Sequence, residues 1–290
     1  MIIEITNATK FYGKHKAIDN LSFNVDKGRI HGLIGVNGSG KTTLIKALVG
    51  IHELTSGQIK VFGEPVFENP AVKARIGYVA DRNRFFKNYT VNALIKFYSE
   101  IYPKFSIKKF AIYNDKMQLP LNSRINSLSK GMQMRLSIML NLSRSPEVLV
   151  LDEPTSGLDV IAINDVLNFI ITEVNTNQMT VLISSHHLSK LNALCDNITI
   201  INHGKLNTHT LLNEHQNQIK KLQVIFTTPI DLSSFAADTA ILDIQTIGSV
   251  HYIVTNNLPH IEAKIKAIGA NLLEELPMTL EEIFVYANKN

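Results

Sequence analysis

One cysteine in 290 residues, Cys195, has no partner for an internal disulfide, which excludes the disulfide-stapled secreted folds and fits a reducing compartment. Its expected role is that of a small buried hydrophobe. No window approaches 18 consecutive apolar residues, and the opening Met1-Ile2-Ile3-Glu4 lacks the charged-then-apolar layout of a signal peptide. The expectation is an intracellular protein that does not itself span a membrane. Long runs of one charge are missing as well. The net charge is +4, yet the basic residues are spread along the chain, and the densest run, Lys108-Lys109, is too short for a polybasic patch. That speaks against nucleic acid as a partner, and the slight positive balance reads as a solvated surface. There is no internal repeat and no low-complexity tract. With 45% hydrophobic and 19% charged residues, the chain has the composition of a globular protein, long enough for one large domain and a smaller one.

What is present begins with Gly35-Val36-Asn37-Gly38-Ser39-Gly40-Lys41-Thr42, which fits the pattern Gly-x-x-x-x-Gly-Lys-[Ser/Thr] at every position. Its glycines let the backbone turn so that successive N–H groups point at phosphate oxygens, and a following helix adds the positive end of its dipole. Lys41 then reaches the β- and γ-phosphates, and the Thr42 hydroxyl ligates Mg²⁺, with Thr43 beside it in the same turn. The flanks suit the motif. Arg29 to Ile34 reads as a buried strand and Thr43 to Val49 as an apolar helix.

Around this loop the pattern is that of strands and helices in alternation. Ile3 and Ile5, then Ile18, Leu21, Phe23 and Val25, give the period of β structure at the start. Buried strands follow at Val148-Leu149-Val150-Leu151 and at Thr180 to Ser184, separated by helical stretches, which predicts a largely parallel sheet covered by helices. From about residue 85 to 145 helical spacing dominates, in Thr90 to Tyr98 and Met132 to Leu142, and reads as a helical insertion. The core domain is expected to end near Gly204-Lys205. Residues 206–290 restart with strands at Gln223 to Phe226 and Val250 to Val254, a helix from Ile261 to Ala267, and a capping box from Thr279 to Glu282. No chemistry is assigned to this C-terminal region.

The strand at 148–151 runs into Asp152-Glu153 and so places two carboxylates at the carboxyl edge of the sheet, where parallel α/β folds bind ligands. Nucleotide hydrolysis needs one acid to hold Mg²⁺ and a second group to orient or deprotonate the attacking water. Asp152 suits the first role and Glu153 the second.

Asp152-Glu153-Pro154-Thr155-Ser156-Gly157-Leu158-Asp159 resembles the second nucleotide motif and D-loop of the ATP-binding cassette (ABC) proteins, and the family's other marks occur in order over residues 1–205. Tyr12, in Phe11-Tyr12-Gly13, matches the aromatic position on which adenine stacks. Leu128-Ser129-Lys130-Gly131-Met132 resembles the signature, and His186, in Ser184-Ser185-His186, matches the switch histidine that touches the γ-phosphate. Two motifs depart from the pattern. In the signature, usually Leu-Ser-Gly-Gly-Gln, Lys130 and Met132 replace a glycine and the glutamine, while Ser129 and Gly131 still supply a hydroxyl and an N–H at a helix N-terminus. At the Q-loop, Asp81 stands in Gly77-Tyr78-Val79-Ala80-Asp81 where glutamine is usual. A carboxylate can meet Mg²⁺, mainly through water, but it repels the γ-phosphate.

The resemblance implies an α/β P-loop ATPase with a mixed sheet, a helical subdomain at about 85–145 and a small α+β extension at 206–290. It implies ATP and Mg²⁺ as cofactors, and a head-to-tail dimer with itself or a second such ATPase, in which Ser129 and Gly131 of one copy complete the nucleotide site of the other. Its partners would be integral membrane permease subunits at the cytoplasmic face, and its work the powering of an exporter of peptides, drugs or lipids. Arg82-Asn83-Arg84-Phe85-Phe86 corresponds to the family's groove for a helix of the membrane subunit, with one phenylalanine expected in the core and the other facing the partner. A soluble ABC-type ATPase acting on ribosomes or nucleic acid is the alternative.

Overall fold

The computed structural model describes residues 1–82, 85–86, 88–186, 194–211, 219–226, 230, 235, 237–278, 282 and 286, the backbone alone for 207–211. Two compact units divide the chain, one of Met1–His187 with Ala193–His209, the other chiefly of Thr210–Asn290.

In the first unit, alternation of apolar and polar residues makes an antiparallel sheet. Strands β1 (Ile3–Tyr12) and β2 (His15–Val25) pair with Ile5 opposite Phe23, and β4 (Ser56–Val61) joins the other side of β1 with Ile5 opposite Ile59. A short β5 (Glu64–Pro65) closes the order β2-β1-β4-β5. The continuous apolar runs make a second sheet from β3 (Ile30–Ile34), β6 (Ile76–Val79), β7 (Val148–Asp152), β8 (Thr180–Ser185), β9 (Asn197–Asn202) and β10 (Lys205–Leu211), in the order β10-β9-β3-β8-β7-β6. Strand β3 runs parallel to β8 and β9, and β7 parallel to β6 and β8. Leu149, Val150, Leu151, Val181 and Ile183 are wholly buried because both faces of this sheet are covered, and each contributes about 1.5–3 kcal/mol of hydrophobic stabilisation. Because β10 neighbours β9, the first unit runs to His209 and passes the expected boundary at 205.

Three helices carry the insertion: α3 (Val91–Ile101), α4 (Ile107–Met117) and α5 (Lys130–Ser143), started by the side-chain caps Thr90, Ser106 and Ser129. The buried face of α4 is Phe110, Tyr113 and Met117. The long helix α6 (Val160–Asn177), capped by Asp159, presents the buried Glu173, which takes the Tyr113 hydroxyl at 2.7 Å and the Lys109 ammonium at 2.7 Å. Lys109 is therefore no solvated lysine: it neutralises a buried carboxylate that would otherwise be costly. Burial first, and then the Glu173 hydrogen bond and charge, push the Tyr113 phenol up. Asn141 fastens α5 to the sheet by accepting from the Tyr78 amide and donating to its carbonyl, each at 3.1 Å. Arg144, just past α5, stacks on Tyr102 at 3.6 Å and donates to the carbonyls of Ala74 and Ile76, on either side of the end of the short helix α2 (Pro70–Ala74).

The second unit holds β11 (Lys220–Phe226), β12 (Ile241–Ile247), β13 (Val250–Thr255), α7 (Leu258–Ile268) and β14 (Ala270–Leu276). The sheet order β12-β13-β11-β14 puts the first strand between the third and fourth, as in a split βαβ arrangement with α7 as one crossover. Its core is Leu222, Val224, Phe235, Ile253, Ile261 and Ile265. The capping box from Thr279 lies outside the described residues, except Glu282, which pairs with Lys221 at 2.6 Å. Cys195, in the first unit, is buried as expected, and burial pushes its thiol up.

Candidate nucleotide site

The strand β3 delivers the glycine loop to the sheet's carboxyl edge, and α1 (Lys41–Leu48) leaves from it. Gly40 is the N-cap of α1 with φ +108°, and a Cβ there would lie 2.6 Å from the Ala17 carbonyl, so only glycine suits the turn. No side chain caps α1, which leaves its first amides to a ligand. The Lys41 ammonium, buried, donates to the carbonyls of Gly35 at 2.6 Å and Val36 at 3.3 Å, and lies 3.6 Å from Glu153.

Below it stand the acids of β7. The Ser184 hydroxyl, from β8, donates to Asp152 at 2.8 Å and accepts from the Glu153 amide at 3.0 Å, so one side chain sets both acids. The Thr42 hydroxyl stands near enough to Asp152 to favour its ionised form. Burial pushes the Asp152 carboxyl up, the Ser184 and Thr42 hydroxyls pull it back, and the charges of Glu153 and Asp81 push it up again. Glu153 occupies the left-handed region at φ +51°, which a glutamate adopts at a cost, and this turns its side chain toward Lys41 and His186. His186 Nδ1 meets Glu153 at 2.8 Å.

A cleft of 330 Å³ lies over these groups, lined by Tyr12, His15, Ala17, residues 37–43, Asp81 and Glu153. Of the residues expected at the site, Tyr12, Asn37, Gly38, Ser39, Gly40, Lys41, Thr42, Thr43, Asp81 and Glu153 line it. Gly35 and Val36 join through Lys41, Asp152 through Ser184 and Glu153, and His186 through Glu153. Ser129 and Gly131 do not line it; Ser129 caps α5, its hydroxyl accepting from the Met132 amide at 3.2 Å. His15 is an addition, placed by its pairing opposite Tyr12 across the β1–β2 turn. Ser184 is another, hidden in sequence as the end of a strand. Phe85 is half-buried and Phe86 is 54% exposed, so neither belongs fully to the core. Phe86 packs instead with Tyr89 and Phe97, at ring separations of 5.0 and 5.4 Å.

The donor set tests what the cleft accepts. Ser39 Oγ is buried with no hydrogen-bond partner, an arrangement that costs free energy until a ligand satisfies it, and Glu153 Oε1, buried without a hydrogen bond, faces only the Lys41 ammonium at 3.6 Å. Among the described residues no three His, Cys, Asp or Glu side chains converge on a metal position. One hydroxyl and one or two carboxylates fit Mg²⁺ held partly by a nucleotide's own phosphates.

The model for the family described as ABC transporter matches residues 18–156. The ABC transporter ATP-binding protein YtrB of Bacillus subtilis (strain 168) is 30% identical over 286 residues, 98% of this chain and 97% of that protein. The chain belongs to the ABC transporter family. It is an ATP-binding, ATP-hydrolysing subunit of such a transporter. The bacitracin transport ATP-binding protein BcrA of Bacillus licheniformis is 37% identical over 211 residues, 71% of this chain and 68% of that protein. Among solved structures, the dimeric post-hydrolysis state of the ATP-binding cassette MJ0796 bound to ADP and Pi is similar in fold, with TM-score 0.64 and 21% identity over 73% of this chain and 99% of that one. No helix among the described residues is long and apolar enough to cross a membrane.

Proposed function

We propose that this ABC ATPase subunit binds Mg-ATP in the cleft over Lys41 and hydrolyses it to drive a bacterial exporter of peptides, drugs or lipids. The observation that carries the catalytic part is the convergence of Lys41, Asp152, Glu153 and His186 within one set of hydrogen bonds and ion pairs connected through Ser184, with Thr42 beside Asp152. On binding, the Lys41 ammonium exchanges the carbonyls of Gly35 and Val36 for β- and γ-phosphate oxygens, which are stronger, charged acceptors. The amides of residues 37–43 and the Ser39 hydroxyl complete the cradle, and Tyr12 stacks on the base. Thr42 and Asp152, with Asp81 at the rim, would hold Mg²⁺, which supplies charge neutralisation to the phosphates. Glu153 accepts the proton of the attacking water, and His186, bonded to Glu153, orients that carboxylate and reaches the terminal phosphate.

Ser129 and Gly131 act on the nucleotide of a second copy or a second ATPase in a head-to-tail dimer, since they stand outside their own cleft. In this reading residues up to about 205–209 are the ATPase domain, 85–145 its helical subdomain and the remainder an accessory region. The Phe86–Tyr89–Phe97 aromatic group is where a helix of an integral membrane permease docks, which holds the subunit at the cytoplasmic face. A role in moving peptide antibiotics across a membrane is supported by the similarity to BcrA, a bacitracin transport ATP-binding protein. The test is co-purification with a membrane subunit followed by ATPase assays with candidate cargo. Stimulation by a peptide antibiotic supports the reading; stimulation by ribosomes or nucleic acid, with no membrane subunit recovered, overturns it.

A further inference from the structure

Two of the three residues that depart from the family pattern meet each other. Lys130, in the signature, places its ammonium 3.5 Å from the Asp81 carboxylate at the Q-loop position, and donates to the Ser156 hydroxyl of the D-loop at 2.9 Å. The backbone fixes this meeting. A Cβ on Gly131 would sit 2.4 Å from the Gly157 carbonyl, so only glycine lets the first turn of α5 lie against the D-loop, where the Lys130 stem then runs past Gly157. Asp81 in turn lines the cleft with Lys41, Thr42 and Glu153.

We infer that Lys130 and Asp81 work as one unit, in which Lys130 is a positioning residue that neutralises Asp81 at the rim of its own nucleotide cleft and makes a carboxylate there compatible with a triphosphate. The inference rests on the Mg-ATP reading of that cleft. The electrostatic need is on the page. Three carboxylates share the same small region: Asp81 and Glu153 line the cleft, and the Ser184 hydroxyl ties Asp152 to Glu153. Lys41 is the inner cation, already beside Glu153. A polyphosphate entering this region meets the Asp81 charge, which the Mg²⁺ it brings would offset only in part, and Lys130 is the protein cation that stands next to that carboxylate. A neutral amide at position 81 would need no such companion, and the usual small residue at position 130 would provide none, so each departure makes sense only with the other. Because both groups are partly exposed, solvent and salt reduce the effect to a modest factor.

The experiment measures binding of a non-hydrolysable ATP analogue with Mg²⁺ to the full chain by calorimetry, in K130M, D81Q, the K130M/D81Q double variant and K130R, at low and high salt. K130M is expected to weaken binding about two- to fivefold at low salt, less at high salt, and K130R to stay near the parent. In the D81Q background K130M is expected to change nothing. Equal losses in both backgrounds would show that Lys130 acts without Asp81, for instance only on another copy's nucleotide, and would overturn the inference. So would an undiminished affinity of K130M in the parent background. K41A separates the two levels of the argument: if it loses the analogue while the K130M and D81Q effects simply add, the coupling alone fails. If K41A binds as well as the parent, the cleft is not the nucleotide site and both fall.

Discussion

In the first unit buried polar side chains gather at the carboxyl ends of the central strands: Lys41, Asp152, Ser184 and Ser185 are each at most 5% exposed. In the second unit, among the described residues, Thr255 is the only polar side chain so deeply buried, and its hydroxyl donates to the Ala240 carbonyl at 2.7 Å. The second unit's charges stay at its surface, where Asp238 meets Lys264 at 2.9 Å and His260 at 3.0 Å. Taking an ion out of water costs several kcal/mol, so a fold keeps one inside only where a partner or a ligand answers its charge, as Lys109 answers Glu173. The first unit is arranged around a ligand it must grip and the second around its own packing.

The sharpest way to break that contrast is to remove the gripping charge. Lys41→Ala should weaken ATP binding by about one to two orders of magnitude, since a charge-assisted contact is worth about 1.5–3 kcal/mol, while the fold persists by circular dichroism. A smaller loss is expected from Ser184→Ala, which frees both Asp152 and Glu153 from their shared hydroxyl. By analogy with the groups that orient metal ligands, kcat should fall about tenfold, with KM for ATP moving less. In the second unit the expected signature is inverted. Ile253→Ala, a fully buried site, should cost about 2–5 kcal/mol of that unit's stability in hydrogen exchange and leave ATP turnover per folded molecule unchanged. Lost turnover with unchanged stability would erase the distinction between the units.

The smallest effect is on acidification. Lys264, then the Ala240 amide and His260, hold Asp238 well below the usual carboxylate range. The unfolded chain therefore binds the proton first, so this contribution to stability is complete above about pH 4 and is lost as pH falls toward the lowered folded-state value. Melting curves of Asp238→Asn should show a flatter acid limb than those of the parent.

The same contrast explains what could be read from residues alone. The glycine loop, the acids after Val148–Leu151 and the strand period of β1 and β2 are local patterns with one physical meaning each, and they give the sheet's carboxyl edge and most of the cleft. Contacts made across long sequence separations have no local mark. Lys109 looks like a surface lysine until Glu173 of α6 is placed beside it. Ser184 looks like the end of a buried strand until β7 pairs alongside and puts Asp152 within its reach. His15 enters the cleft only because β1 and β2 form a hairpin. Lys130 and Asp81, each an isolated oddity in the chain, acquire a shared meaning only when α5 is packed on the D-loop. The strand β6 was hidden because its four residues include a glycine and a tyrosine, which spoil the apolar run.

The measurement that bears most directly on the central claim is single-turnover hydrolysis by the Glu153→Gln variant, with ATP binding measured on the same sample. The substitution keeps the shape and a hydrogen-bond acceptor but removes the base, so ATP should bind as in the parent while the chemical step slows by at least about a hundredfold. Hydrolysis at the parent's rate would contradict the account, because water would then be activated by something other than the carboxylate that Ser184, Lys41 and His186 hold in place.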